Sequence, residues 1–149
     1  MRLRRFETRD ATIMAAISRR AFESDVLHGA PAEGGPPGYD SADWQLETAR
    51  AATAYLVIEV EGSAVGGMIV FGASGDYWIG RMFIDPEHQS RGHGSEALAR
   101  LEREYPDATR WSLETPPWNR RNHGFYEKAG YVRAGVSKSG DYLFEKRRR

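Results

Sequence analysis

The sequence predicts an α/β (α+β) fold, a mixed and mostly antiparallel twisted sheet of about seven strands flanked by about four helices. Three observations lead there. Three runs of strand character between Tyr55 and Ile84 are separated only by tight-turn residues, which is the pattern of an antiparallel meander. Beyond Pro86 the apolar period changes from that of a strand to that of an amphipathic helix. The order of segments is strand, two helices, three strands, helix, strand, helix, two strands, with no internal repeat or break in composition that would mark a second domain. At 149 residues the chain is expected to form one domain, residues 1–149, able to bury a core without metal or disulfide help.

Each element has its own local reason. Leu3 to Phe6 alternates apolar and basic residues like an edge strand. Thr8 or Asp10 can cap a helix running to about Glu23, with Ile13, Met14, Ile17, Ala21 and Phe22 as its apolar stripe. From Ser24 to Tyr39 the chain is expected to be a loop, because Gly34 to Gly38 is too rich in helix and strand breakers for regular structure. Trp44, Leu46 and Ala49 place a second helix from Ser41 or Asp43 to Ala51. Tyr55 to Val60 and Ala64 to Phe71 form a hairpin about Glu61, Gly62 and Ser63. Ser74, Gly75 and Asp76 turn the chain into Tyr77 to Ile84, which Asp85 and Pro86 end. Ala97, Leu98, Leu101 and Tyr105 share one face of a helix from Gly94 to Tyr105, stopped by Pro106 and Asp107. Arg110 to Thr115 is a short strand, and Asn119 to Ala129 a helix closed by Gly130. Tyr131 to Val136 and Tyr142 to Glu145 complete the sheet.

Composition removes several classes of function. There is no cysteine, hence no disulfide framework, zinc thiolate or cysteine nucleophile, which fits a reducing cytoplasm. Met1 to Phe6 has three arginines but no apolar run behind them, and no stretch approaches the ~18 apolar residues of a membrane span. Lysine plus arginine and aspartate plus glutamate balance at 21 each, so no overall field attracts nucleic acid or an anionic membrane. The basic run Lys146 to Arg149 reads as a solvated terminus. His28, His93 and His123 show no metal-ligand spacing, and no metal is expected.

The segment richest in chemistry is Gln89-Ser90-Arg91-Gly92-His93-Gly94-Ser95, between a strand and an amphipathic helix. N–H groups at a helix start lack internal partners and, with the helix dipole, form an anion site. Gly92 and Gly94 let the backbone approach a phosphate, and Arg91 adds positive charge. The alternative is a glycine-bearing helix start with no ligand. The segment is neither a P-loop nor a dinucleotide fingerprint, since no Gly-Lys-Ser/Thr follows and a third glycine is missing.

With Gln89, Gly92 and Gly94 in place, the segment resembles the acetyl-CoA loop of the GNAT superfamily of N-acetyltransferases, Gln/Arg-x-x-Gly-x-Gly/Ala. A second match lies in Asn119 to Tyr131, where Asn119 stands seven positions before Tyr126 and Gly130 four after it, similar to that family's Asn-x(6)-Tyr-x(3)-Gly-Phe/Tyr segment. The order of elements from Leu3 to Glu145 also agrees with the GNAT-like fold. The chain departs at Asn122, His123 and Gly124, and Gly124 should weaken its helix by up to about 1 kcal/mol.

The resemblance implies acetyl-CoA as co-substrate and transfer to a primary amine, of a small molecule or of a peptide or protein, by direct attack within a ternary complex. It implies coenzyme binding by Met82, Phe83 and Ile84 through backbone groups freed where their strand splays. It implies the same for the loop Gln89, Ser90, Arg91, Gly92, His93, Gly94 and Ser95, and for Asn119, Tyr126 and Lys128. An N–H of the splayed strand would stabilise the oxyanion. Asn119 suits a pantetheine amide or, alternatively or as well, an ordinary helix cap. Tyr126 would protonate the leaving thiolate, since a phenol of pKa near 10 can donate to a thiolate of pKa near 8.5; the alternative is a core tyrosine. Lys128, Arg120 and Arg121 would meet the ribose phosphate or else stand as exposed helix cations. An acceptor amine must lose a proton before it attacks, and Glu114 is the first candidate base, with Asp76, Glu59 and His88 behind it. Trp78, Trp111, Trp118, Tyr39 and Trp44 are pocket or core aromatics, and Ser24 to Tyr39 is the expected acceptor-side lid. A rival reading is a CoA-binding sensor or regulatory module without turnover. A homodimer through the C-terminal strands is a further family-level expectation.

Overall fold

The computed structural model describes residues 1–148. Arg149, the last residue of the basic run, lies outside the described residues. The strands are β1 (Arg2–Arg5), β2 (Ala54–Val60), β3 (Ser63–Ala73), β4 (Asp76–Ile84), β5 (Arg110–Thr115), β6 (Val132–Val136) and β7 (Tyr142–Arg147). The helices are α1 (Ala11–Glu23), α2 (Ala42–Ala51), α3 (His93–Glu104) and α4 (Arg120–Lys128). They build one seven-stranded sheet in the order β1-β2-β3-β4-β5-β7-β6. Every neighbouring pair is antiparallel except β4 with β5.

Local chemistry explains the boundaries. The β2–β3 and β3–β4 turns place Glu61 and Gly62, then Ser74 and Gly75, at positive φ, the geometry whose twist matches a two-residue hairpin. Ser41 caps α2 by accepting the Trp44 N–H at 3.1 Å. α3 connects β4 to β5, and a crossover of this kind makes the two strands parallel.

Helices cover both faces of the sheet. α1 buries Met14, Ile17 and Ala21 against Tyr55, Val57, Ile69 and Phe83, with Trp44 of α2 at the margin. On the other face Ala97, Leu98 and Leu101 of α3 and Tyr126 of α4 pack with Val70, Ile79, Trp111, Leu113 and Phe144. Tyr77 and Ile79 belong to the second cluster but Phe83 to the first, a swap that strict alternation forbids. A bulge produces it: Ile69 pairs with Arg81 and Val70 with Ile79, which leaves Gly80 without an opposite residue.

Two expectations are corrected. Ser24 to Tyr39 is not wholly irregular, because Ser24–His28 forms a 3-10 turn closed by Gly29 at φ 105°. The basic run is not a free tail either, because β7 continues through Lys146 and Arg147. Lys146 donates to Glu102 Oε1 and to the Ala129 carbonyl, each at 2.8 Å. Arg148 donates to the carbonyls of Glu102 and Tyr105, satisfying acceptors that the end of α3 leaves free. These cations close the C-terminal ends of two helices.

Candidate active site

β4 and β5 pair at only three positions, Asp76↔Arg110, Tyr77↔Trp111 and Trp78↔Ser112. Beyond Trp78 no strand pairs with that edge of β4 among the described residues. The freed edge has a hollow at each end. A cleft of about 280 Å³ meets Met82, Phe83 and Ile84, and a notch of about 320 Å³ meets Trp78, Ile79 and Gly80.

The cleft is walled by Gln89, Ser90, Gly92, Gly94 and Ser95 on one side and by Arg121, Asn122, Phe125 and Tyr126 of α4 on another. Ala21, Phe22 and Asp25, at the end of α1 and just past it, supply a third wall. Gly92 caps α3 at φ 84°, a left-handed conformation that glycine adopts without strain, and no side chain caps the helix. The first bond into the helix runs from the Glu96 N–H to the Gly92 carbonyl, so the N–H groups of His93, Gly94 and Ser95 have no partner within it. Gly94 has a different reason. A Cβ there would lie 3.2 Å from two ring carbons of Phe125, so this glycine lets α3 pack on α4. Gln89 donates from Nε2 to the Ile84 carbonyl at 2.9 Å, fixing the loop to the end of β4.

Tyr126 is 7% exposed and its ring packs against Phe125 and Tyr131. Burial alone raises its phenol above the ordinary value near 10, so the group stays a neutral donor at physiological pH. Two further polar groups of the cleft wall are His88, whose Nδ1 is buried without a partner, and Asp25. Burial pushes the Asp25 carboxyl above the usual carboxylate range, although Arg121 and His28 pull it the other way.

Met82, Phe83, Ile84, Gln89, Ser90, Gly92, Gly94, Ser95 and Tyr126 line one cleft. Arg91, His93, Lys128 and Asn119 do not line the cleft. Arg91 and Lys128 are exposed helix or loop cations. Asn119 is 2% exposed and caps α4, its Oδ1 accepting the Asn122 N–H at 3.2 Å. Glu114 is exposed and faces the notch with Trp78, Ser112 and Leu143. Two of the weaker base candidates are occupied elsewhere, Asp76 holding Arg110 at 3.0 Å and Glu59 holding Arg4 at 2.8 Å, while His88 lies on the cleft wall. Trp111 is fully buried core, whereas Trp78 is 48% exposed and stacks on Phe71 at the notch. Trp44 lies under the Arg81 guanidinium, which also donates to the Pro37 carbonyl and so pins the loop before α2.

Asp25 was not among the sequence candidates. Nothing in its local pattern marks it, and only the fold brings it to Arg121. The Gly80 bulge had a signal, a glycine inside a strand run.

Comparison with known proteins agrees with this geometry. The N-acetyltransferase PaiA of Thermoplasma acidophilum, solved in complex with coenzyme A, superposes with TM-score 0.83 at 14% identity over 99% of this chain and 98% of that one. The ribosomal-protein-S18-alanine N-acetyltransferase of Escherichia coli gives TM-score 0.74 at 17% identity over 98% of this chain and 92% of that one. At these identities the likeness is one of fold. A curated relative from Bacillus subtilis (strain 168), the uncharacterized protein YrkN, is 30% identical over 102 residues, which are 66% of this chain and 55% of that protein. The chain therefore spans about half the length of the curated relative it matches. The model of the acetyltransferase (GNAT) family matches residues 14–131, most of the chain, and the protein belongs to that family.

Proposed function

We propose that this protein is an acetyl-CoA-dependent N-acetyltransferase that moves an acetyl group to a primary amine by direct attack while both substrates are bound. The observation that carries the proposal is the freed edge of β4, which has a helix-start anion site at one end and an open notch at the other. The residues present fit the co-substrate. N–H groups without partners at the start of α3 match a pyrophosphate, and a strand edge without a neighbour matches the amides of a pantetheine arm. The fold likeness to a coenzyme A complex supports this reading.

Acetyl-CoA would supply the activated acyl group as a thioester. The chain's residues do the rest. The loop Gln89 to Ser95 binds the phosphates, with Gln89 keeping the loop docked on Ile84. Backbone groups of Met82, Phe83 and Ile84 hold the arm, and one N–H there stabilises the oxyanion. The Tyr126 phenol, kept neutral by burial, gives its proton to the departing thiolate. Glu114, facing the notch beside Trp78, takes the proton from the acceptor amine directly or through water. Asn119 serves as the cap that sets the start of α4, and so the direction of Tyr126, rather than as a coenzyme ligand. The acceptor is a small-molecule or peptide amine. A second copy of the chain would cover the edge strand β6, where Val132 and Val136 are exposed.

The test is release of free coenzyme A thiol from acetyl-CoA across a panel of amino acids, polyamines, aminosugars and N-terminal peptides. Turnover with any of them supports the proposal. Tight binding with no turnover on the whole panel replaces it with the sensor reading, and no binding removes both.

A further inference from the structure

One contact spans the cleft. Arg121, in the first turn of α4, donates from Nη1 to Gln89 Oε1 at 2.9 Å and from Nη2 to Asp25 Oδ1 at 3.3 Å. It thus joins all three walls: α4, the phosphate-binding loop and the 3-10 turn after α1. The end of the same turn lies close to α4, since a Cβ on Gly29 would stand 3.0 Å from the Trp118 carbonyl just ahead of that helix. The Asp25 side chain is 14% exposed and the Arg121 side chain 36%. A carboxylate on this wall competes with any incoming anion for the same positive groups, the N–H groups at the start of α3 and the Arg121 guanidinium. It is also poorly hydrated at that exposure, and burial pushes its carboxyl above the usual carboxylate range.

Resting on the coenzyme reading of the cleft, we propose that the Asp25–Arg121 pair is a strap across the coenzyme site. Asp25 holds Arg121 away from the co-substrate's phosphates, and binding requires those phosphates to take the guanidinium from it. Asp25 and the phosphates compete for one guanidinium. A guanidinium offers a limited set of donors, and here one is committed to Gln89 and one to Asp25. A phosphate is the stronger acceptor for such a fork. Asp25 adds a like charge beside the incoming anion, which costs affinity twice, by repulsion and by occupying its partner. Asp25 therefore sets the affinity through Arg121, and its removal should make coenzyme bind better although an ion pair is lost.

The experiment is calorimetric titration of coenzyme A, and separately of phosphate-free pantetheine, into wild type, Asp25→Asn and the double variant Asp25→Asn/Arg121→Gln. Circular dichroism first establishes that each is folded. Asp25→Asn should bind coenzyme A about two- to fivefold more tightly, the size a part-exposed ion pair carries. Its affinity for pantetheine should not change, and the double variant should lose the gain. A merely structural role for Asp25 would instead lower affinity for both ligands. Wild-type binding of coenzyme A with an unchanged or weakened Asp25→Asn variant overturns the strap alone. Absence of coenzyme A binding in all three proteins overturns the coenzyme reading and the strap together.

Discussion

Two walls of the cleft are built from different materials. The Gln89 to Ser95 wall offers backbone: unpaired N–H groups at the start of α3, made accessible by Gly92 in a left-handed conformation. The connection from α1 to α2 offers side-chain contacts made between parts of the chain far apart in sequence, Asp25 to Arg121 and Pro37 to Arg81. A backbone wall depends on the few glycines that shape it and tolerates change at its other positions. A side-chain wall can be retuned at almost any residue. The difference teaches where each kind of recognition belongs in the proposed enzyme, with the coenzyme on the first wall and access on the second.

The largest effect should come from Tyr126, where the backbone wall meets the chemistry. Tyr126→Phe keeps the ring among Phe125 and Tyr131 but removes the donor, so turnover at saturating acetyl-CoA should fall by roughly 10²–10⁴-fold with coenzyme affinity retained. The pH profile sharpens this. Because burial raises the phenol, its protonated form persists above its ordinary value, and wild-type turnover should show no loss from this group below about pH 10. Equal turnover of the two proteins from pH 6.5 to 9.5 would remove Tyr126 from the mechanism. Next in size is Gly94→Val, whose added carbons meet the Phe125 ring of the cleft wall. Coenzyme A affinity should drop by about tenfold or more while the far-ultraviolet spectrum stays that of the wild type. Unchanged affinity would show that the cleft does not hold the coenzyme at that point.

Asn119→Ala should cost about 0.5–2 kcal/mol of stability in a denaturant titration, as loss of a helix cap does, and leave the Michaelis constant for acetyl-CoA unchanged. A raised Michaelis constant at full stability would instead make Asn119 a coenzyme ligand. The smallest effect is expected in the loop that follows the other wall. Arg81 is half-buried and burial lowers it to about 10, so Arg81→Leu removes a costly charge together with the Pro37 contact. The net change in stability should be small. Cleavage between residues 29 and 40 by a nonspecific protease should nevertheless rise several-fold, and an unchanged cleavage pattern would show that Arg81 does not pin the loop.

This contrast also explains what was legible in the sequence. Turns, caps and the glycine-bearing start of α3 are local, so Glu61-Gly62, Ser41 and Gly92 announce themselves by residue type and neighbours. The succession of strands along the chain followed from the same local signals, but the last strand runs on to Arg147 beyond its expected end at Glu145. The bulge at Gly80 was missed although a glycine in a strand is its ordinary mark, because the run from Tyr77 to Ile84 still reads as continuous. Asn119 satisfied a motif and a cap at once, and burial and the Asn122 bond establish the cap. The Lys146 to Arg148 contacts with α3 and α4, like Asp25 with Arg121, join residues that no spacing rule relates. Such pairs are products of the fold.

The central claim is that the cleft along the freed edge of β4 holds acetyl-CoA, and amide chemical shifts recorded during titration with coenzyme A test it most directly. The largest shifts should fall on the N–H groups of residues 82–84 and 89–95, with the start of α4 next. Saturable binding whose shifts cluster instead on β6 and β7, or no shifts at millimolar coenzyme A, would contradict it.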